Sequence, residues 1–225
     1  MFSLLNFIRS GDTLGAIIFI LSGCFVVFIC SPVHELSHAF IAYKLGDRTA
    51  KREGRLTFNP IKHIDPIGMI MILLFGIGYA KPVPVDMRHF KNPKRDMALV
   101  AFAGPVSNIL MAFVSCFALY ATAYFGGDNK VTYLFLLFFT FSMYINITLG
   151  VFNLLPIPPL DGSKILAAVL PNKVYYKYMM YERYVMIALM LLLFTGALSG
   201  VIGGLSKIMV QLISIIPKAV FGDIV

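Results

Sequence analysis

Apolar residues in this chain come in long, nearly unbroken runs. The longest extends from about Thr13 to Leu45, and its one cluster of ionisable side chains is the stretch His34-Glu35-Leu36-Ser37-His38. Further runs cover Pro66 to Ala80, Met97 to Phe125, Val131 to Leu155 and Tyr184 to about Gly204. A final amphipathic piece, Leu205 to Ile216, is expected to lie on the membrane surface or to extend the fifth run. A helix needs roughly 20 apolar residues to cross a bilayer core, so the pattern predicts an all-α, polytopic membrane helix bundle. The first run lacks the basic start and small-residue cleavage site of a signal peptide, which makes it a retained helix. No internal repeat or soluble appendage interrupts the pattern, and residues 1–225 read as a single integral membrane domain.

The second run is the exception. Pro66 to Ala80 is short for a crossing, carries Gly68, Gly76 and Gly78, and ends in YAKPVPVD, where Pro82 and Pro84 forbid regular helix. A re-entrant loop or β-hairpin after the first helix is expected. Irregular backbone at membrane depth is tolerated only where protein or a water-filled cavity covers it, so this segment should border a cavity.

Composition agrees. Of 225 residues, 59% are hydrophobic and 13% charged, against roughly half and a quarter in a soluble domain. The net charge of +8 is that of basic membrane loops, not of a nucleic-acid-binding surface. Lysines and arginines crowd between Lys44 and Arg95, whereas the GGDNK loop has only Lys130. The positive-inside rule then places the first cluster in the cytoplasm and GGDNK outside, with the N-terminus outside, provided that the second run re-enters. Cys24, Cys30 and Cys116 sit within apolar runs without a CxxC pair, so they read as buried free thiols.

Candidate chemistry concentrates in His34-Glu35-Leu36-Ser37-His38, an H-E-x-x-H pattern. Residues four apart share a helix face, so both imidazoles reach one metal ion, and Glu35 is placed to act as general base and then general acid. Ionisable groups inside a membrane helix are functional by default. Catalytic zinc usually takes three protein ligands. Almost every other acidic group lies in a loop; the candidate third ligand is Asp161, after the proline-broken FNLLPIPP, although aspartate there also suits a helix N-cap. The charge-derived topology puts His38 and Asp161 at the same end of their helices. Asn108 and Asn153 are candidates to hold a substrate carbonyl or oxyanion, with interhelical hydrogen bonding as the alternative. Asn146 reads as structural, and His63 as an interface residue or a neighbour of the site.

HELSH in a membrane helix, AGPVSN (Ala103 to Asn108) and NLLPIPPLDG (Asn153 to Gly162) together resemble the site-2 protease family of intramembrane zinc metalloproteases. NPIKHIDPIG and GYAKPVPVD are similar to short members, and no PDZ or CBS domain is visible. The resemblance implies one Zn2+ held by His34, His38 and Asp161, water activation by Glu35, a membrane-protein or peptide substrate in the lipid bilayer, and a prokaryotic cell membrane; the charge-derived topology puts the site near its cytoplasmic face. The rival reading is a non-hydrolytic metal-binding scaffold or transporter using the same ligands.

Overall fold

The computed structural model describes residues 4–63, 65–75, 81–171, 173–174 and 180–224, and no strand occurs among them. A short helix α1 (Leu4–Ser10) leads into α2 (Thr13–Lys44). Then come α3 (Pro66–Phe75), α4 (Pro93–Phe125), α5 (Lys130–Leu154), α6 (Asp161–Val169), α7 (Glu182–Phe194) and α8 (Ser199–Phe221). Four of these, α2, α4, α5 and α8, are long and apolar enough to cross a membrane. Local chemistry sets their ends. The Asp12 carboxylate accepts the Gly15 amide proton at 2.8 Å, and the Asn129 side chain does the same for Thr132 at 2.9 Å, each satisfying a free first-turn donor.

Helix α4 is the centre of the bundle, packed against α5, the second half of α2 and α6, with α8 lying across α4 and α5 and the first half of α2 against α5. Phe19, Val26 and Val27 of α2 bury against Phe141, Ile145 and Leu149 of α5. On another face of α5, Met143 and Ile147 meet Ala112, Cys116 and Leu119 of α4 and Ile213 of α8. Asn146 donates from Nδ2 to its own helix at Ser142 O (2.9 Å) and to Cys30 Sγ of α2 at 3.4 Å, a polar tie between membrane helices. Ser22 Oγ likewise reaches Phe138 O at 3.1 Å. The outward faces are greasy: Ile17, Leu21, Leu110, Val114, Ile208 and Leu212 are all exposed. In water such surface would drive aggregation; against acyl chains it matches its solvent, and the protein is an integral membrane protein.

One element departs from the sequence pattern, and a second is described only in part. The expected fifth helix, Tyr184 to Gly204, is broken at residues 195–198. Gly196 adopts φ +73°, while Ala197 N–H bonds Leu192 O and Gly196 N–H bonds Leu193 O, both at 3.1 Å. This paired closure ends α7 through a left-handed glycine. Leu205 to Ile216 accordingly belongs to the 23-residue α8, not to a separate surface piece. The second run is helical over Pro66–Phe75. Its continuation at residues 76–80, within the expected re-entrant loop or hairpin, lies outside the described residues, and residues 81–86 have no regular secondary structure.

Candidate metal centre

Pro32 sits in the middle of α2 and has no N–H to give the helical ladder. The helix answers with a wide turn over Val26–Cys30, where Ser31 N–H bonds back to Val26 O five residues earlier. Such turns recur at functional sites, and here one lies immediately before His34. Beyond it the helix is regular, so His34 and His38 project from one face, with ring centroids 4.6 Å apart. Both are buried.

Asp161 meets them from the start of α6. Its Oδ2 lies 3.4 Å from His34 Nε2 and 3.1 Å from His38 Nε2, and the two imidazole nitrogens are 3.0 Å apart. The N-cap alternative fails for Asp161: the cap position is Leu160, with no side-chain cap bond, and Asp161 belongs to the first turn. Its carboxylate turns inward to the histidines and accepts from Lys164 Nζ at 3.2 Å on its other oxygen. Gly162 makes that approach possible, since a Cβ there would collide with the carbonyls of Leu154 and Leu155 at the end of α5.

These three residues are a group that could hold a metal ion. Donors on a tetrahedral zinc at about 2.0–2.1 Å stand about 3.3 Å apart, close to all three separations. The protonation pattern fits as well. His38 Nδ1 lies 2.7 Å from Val100 O, a contact that requires the proton on Nδ1. The Nε2 lone pair is thereby turned toward the other two donors, the outer-sphere arrangement typical of ligating histidines. His34 Nδ1 is buried with no partner among the described residues.

Helix α4 walls the site, and Gly104 is the reason it comes so close. A Cβ at that position would run into His38 Nε2 and Cε1 and stand 2.6 Å from His34 Cε1. The sequence marks AGPVSN as a motif without giving Gly104 this task; glycine beside an in-helix proline, Pro105, is the available signal.

Glu35 is buried next to His34, and its Oε2 accepts the Val83 backbone N–H at 2.9 Å. Val83 lies in the non-helical segment 81–86, which is tied down along its length. Arg55 donates to Lys81 O at 2.7 Å and to Pro82 O at 3.3 Å. Lys81 N–H donates to His63 O at 2.8 Å. Asp86 N–H donates to Asp47 Oδ2 at 2.8 Å, and His89 Nδ1 stands 3.3 Å from Asp47 Oδ1. Burial raises the Asp47 pKa, but Thr49, the Asp86 amide and His89 outweigh it and hold the carboxyl below its usual range. The Arg88 side chain and amide bring Asp86 down to about 2. His63, fully buried with Nε2 2.8 Å from Thr57 O, belongs to this tether.

The two amide candidates are placed differently. Asn108 is buried one helical turn beyond Gly104, and its Oδ1 has no partner among the described residues. Asn153 donates from Nδ2 to Leu149 O of its own helix at 3.0 Å. Among the described residues, no hydrogen bond joins either amide to the histidines, Glu35 or Asp161.

Residues 122–194 match the model of peptidase family M50. The chain is 46% identical over 171 residues to the "Putative zinc metalloprotease YwhC" of Bacillus subtilis, covering 75% of this chain and 78% of that protein. It is 32% identical over 160 residues to the "Putative zinc metalloprotease Rip2" of Mycolicibacterium smegmatis, covering 69% of this chain and 58% of the relative. It is 30% identical over 169 residues to the "Zinc metalloprotease MJ0392" of Methanocaldococcus jannaschii, of which it spans 39%. No solved structure matches.

Proposed function

The chain belongs to peptidase family M50, a zinc metalloprotease embedded in a membrane, and from that premise we propose that it hydrolyses peptide bonds in or near transmembrane segments of other membrane proteins. The observation that carries this reading is the meeting of His34, His38 and Asp161 within 3.4 Å of one another, with Glu35 beside them, on helices of a membrane bundle.

In this reading His34 and His38 Nε2 and Asp161 Oδ2 hold the zinc ion. When held there, the ion would supply Lewis acidity for the scissile carbonyl and for water. Glu35 takes the proton from the attacking water and delivers it to the leaving amine. Val83 N–H orients the Glu35 carboxylate by occupying Oε2, which leaves Oε1 for the water. A helical substrate keeps its amides in internal hydrogen bonds and must unwind before attack. The non-helical segment 81–86, with Val83 beside Glu35, offers the carbonyls of Val83 and Pro84 and the amide of Val85, which no hydrogen bond among the described residues uses, to pair with the unwound strand. Asn108, with its unpaired Oδ1 and its place one turn from Gly104, is the better candidate of the two amides for holding substrate. The basic loops around Lys44–Arg95 favour a cytoplasmic site and an outside N-terminus.

Glu35→Gln tests the reading. Purified and reconstituted, this variant should lose cleavage of membrane-protein substrates while binding zinc at the wild-type stoichiometry. A scaffold or transporter would keep its function in the same variant, and that result would displace the protease reading.

A further inference from the structure

Away from the metal centre, α2, α5 and α8 enclose a groove of about 790 Å³. Its floor is Phe19, Phe141, Ile145 and Thr148; its α8 wall presents Gly200, Gly203, Ser206, Lys207 and Gln211. We propose that this groove is the docking site for a membrane-spanning helix of another protein that carries a carboxylate at mid-depth and small residues on the docking face.

Three observations converge on that occupant. Lys207 is charged in the middle of a span: it stands eight residues, about 12 Å, from the start of α8 and about 21 Å from its end. None of the groove-lining residues is acidic, and no salt bridge to Lys207 occurs among the described residues. A cation at that depth calls for an anionic partner. Beside it, Ser206 is only 7% exposed, lines the groove, and its Oγ has no partner among the described residues. A buried hydroxyl left unpaired is costly; rotation of the Ser206 side chain toward the groove would let an incoming carboxylate accept from both Ser206 and Lys207. Finally, a Cβ added at Gly200 or Gly203 would touch nothing within 4 Å. These glycines are therefore not needed for packing inside the chain, and they leave room for a helix backbone to approach closely.

Depth and charge argue against the other occupants. An anionic lipid headgroup lies at the interface, whereas Gln211 and Lys207 line the groove well below it. A second copy of this chain offers no carboxylate there: the spans carry only Glu35, at the metal centre, and Asp96, in the first turn of α4.

The test uses the full chain with Glu35→Gln, reconstituted in phosphatidylcholine vesicles, so that binding is read without hydrolysis and independently of the protease reading. The probe is a fluorescent leucine-alanine transmembrane peptide with a glycine face and a central aspartate, compared with the same peptide carrying leucine at that position. Energy transfer at pH 8 should show the aspartate peptide binding about tenfold tighter. That preference should persist in Lys207→Arg, vanish in Lys207→Met, and both peptides should weaken in Gly203→Leu. Zinc content verifies that each variant is folded. Equal affinity for the two peptides, or an undiminished preference in Lys207→Met, overturns the proposal. So does loss of aspartate-peptide binding when 20% phosphatidylglycerol is added, which would make the groove a lipid site.

Discussion

Gly104→Ala adds one methyl group to the wall of the metal centre, and the geometry says what must give. The new Cβ would stand 2.6 Å from His34 Cε1 and closer still to the His38 ring, where ordinary contact begins at 3.4 Å. The His34 ring has to retreat by about 0.8 Å and the His38 ring by more. The rings have little freedom to do so, because His38 is fixed through Nδ1 to Val100 O on the same helix that carries the methyl. Metal sites hold their distances to about 0.2 Å, so the displaced donors cannot all reach one ion. Overpacking of this kind costs about 1–3 kcal/mol, and if it falls on the bound state it weakens zinc by about 5- to 150-fold. Competition with a fluorescent zinc chelator on the reconstituted protein measures the effect. Gly150→Ala is the control, since its Cβ would meet nothing nearer than Pro105 O at 3.3 Å and lies away from the histidines. Wild-type zinc affinity in Gly104→Ala would refute the packing argument and with it the placement of α4 against the ligands.

Asp161→Ala should lower zinc affinity by more than the roughly 10–100-fold that follows loss of an outer-shell partner; wild-type affinity, with full occupancy by elemental analysis, would remove Asp161 from the ligand set. Val83→Pro deletes the N–H that Glu35 accepts and should reduce kcat/KM by up to about 10–100-fold, the worth of a hydrogen bond to a charged group, with zinc retained, whereas Val83→Ala keeps the amide and should stay near wild type. Equal activity of the two variants would sink the positioning role. Asp47 and Asp86 are both more acidic folded than unfolded, so the unfolded loop takes up protons first as pH falls. Their contribution to holding residues 81–90 is present above about pH 4 and is lost as pH falls toward 2. Hydrogen exchange of this segment, corrected for intrinsic rates, should rise between about pH 5 and pH 2 and become flatter in Asp47→Asn; an unchanged rate would refute the linkage.

Much of this protein is written in one dimension. Runs such as Thr13 to Leu45 and Met97 to Phe125 declare membrane helices because a bilayer demands about 20 consecutive apolar residues whatever the neighbours do. The i, i+4 spacing of His34 and His38 fixes their shared face, since helical periodicity is a local property. Asp161 is ambiguous at that level: a carboxylate at a helix start reads equally as a cap, and only the approach of α6 to α2, permitted by Gly162 against the end of α5, turns it to the histidines. The break between α7 and α8 escapes the pattern because Leu191 to Leu205 stays largely apolar, while the stop depends on one glycine entering the left-handed region. Gly104, Val83 and Asp47 are invisible as site residues for a common reason. They act through a missing Cβ, a backbone N–H and a loop carboxylate, and each acquires its partner from an element dozens of residues away. Sequence alone thus determined the solvent, most of the helices and two imidazoles on one helix face; the tertiary structure decided which carboxylate meets them, the room for it and the hydrogen bond on Glu35, because those depend on distances between helices that no local pattern encodes.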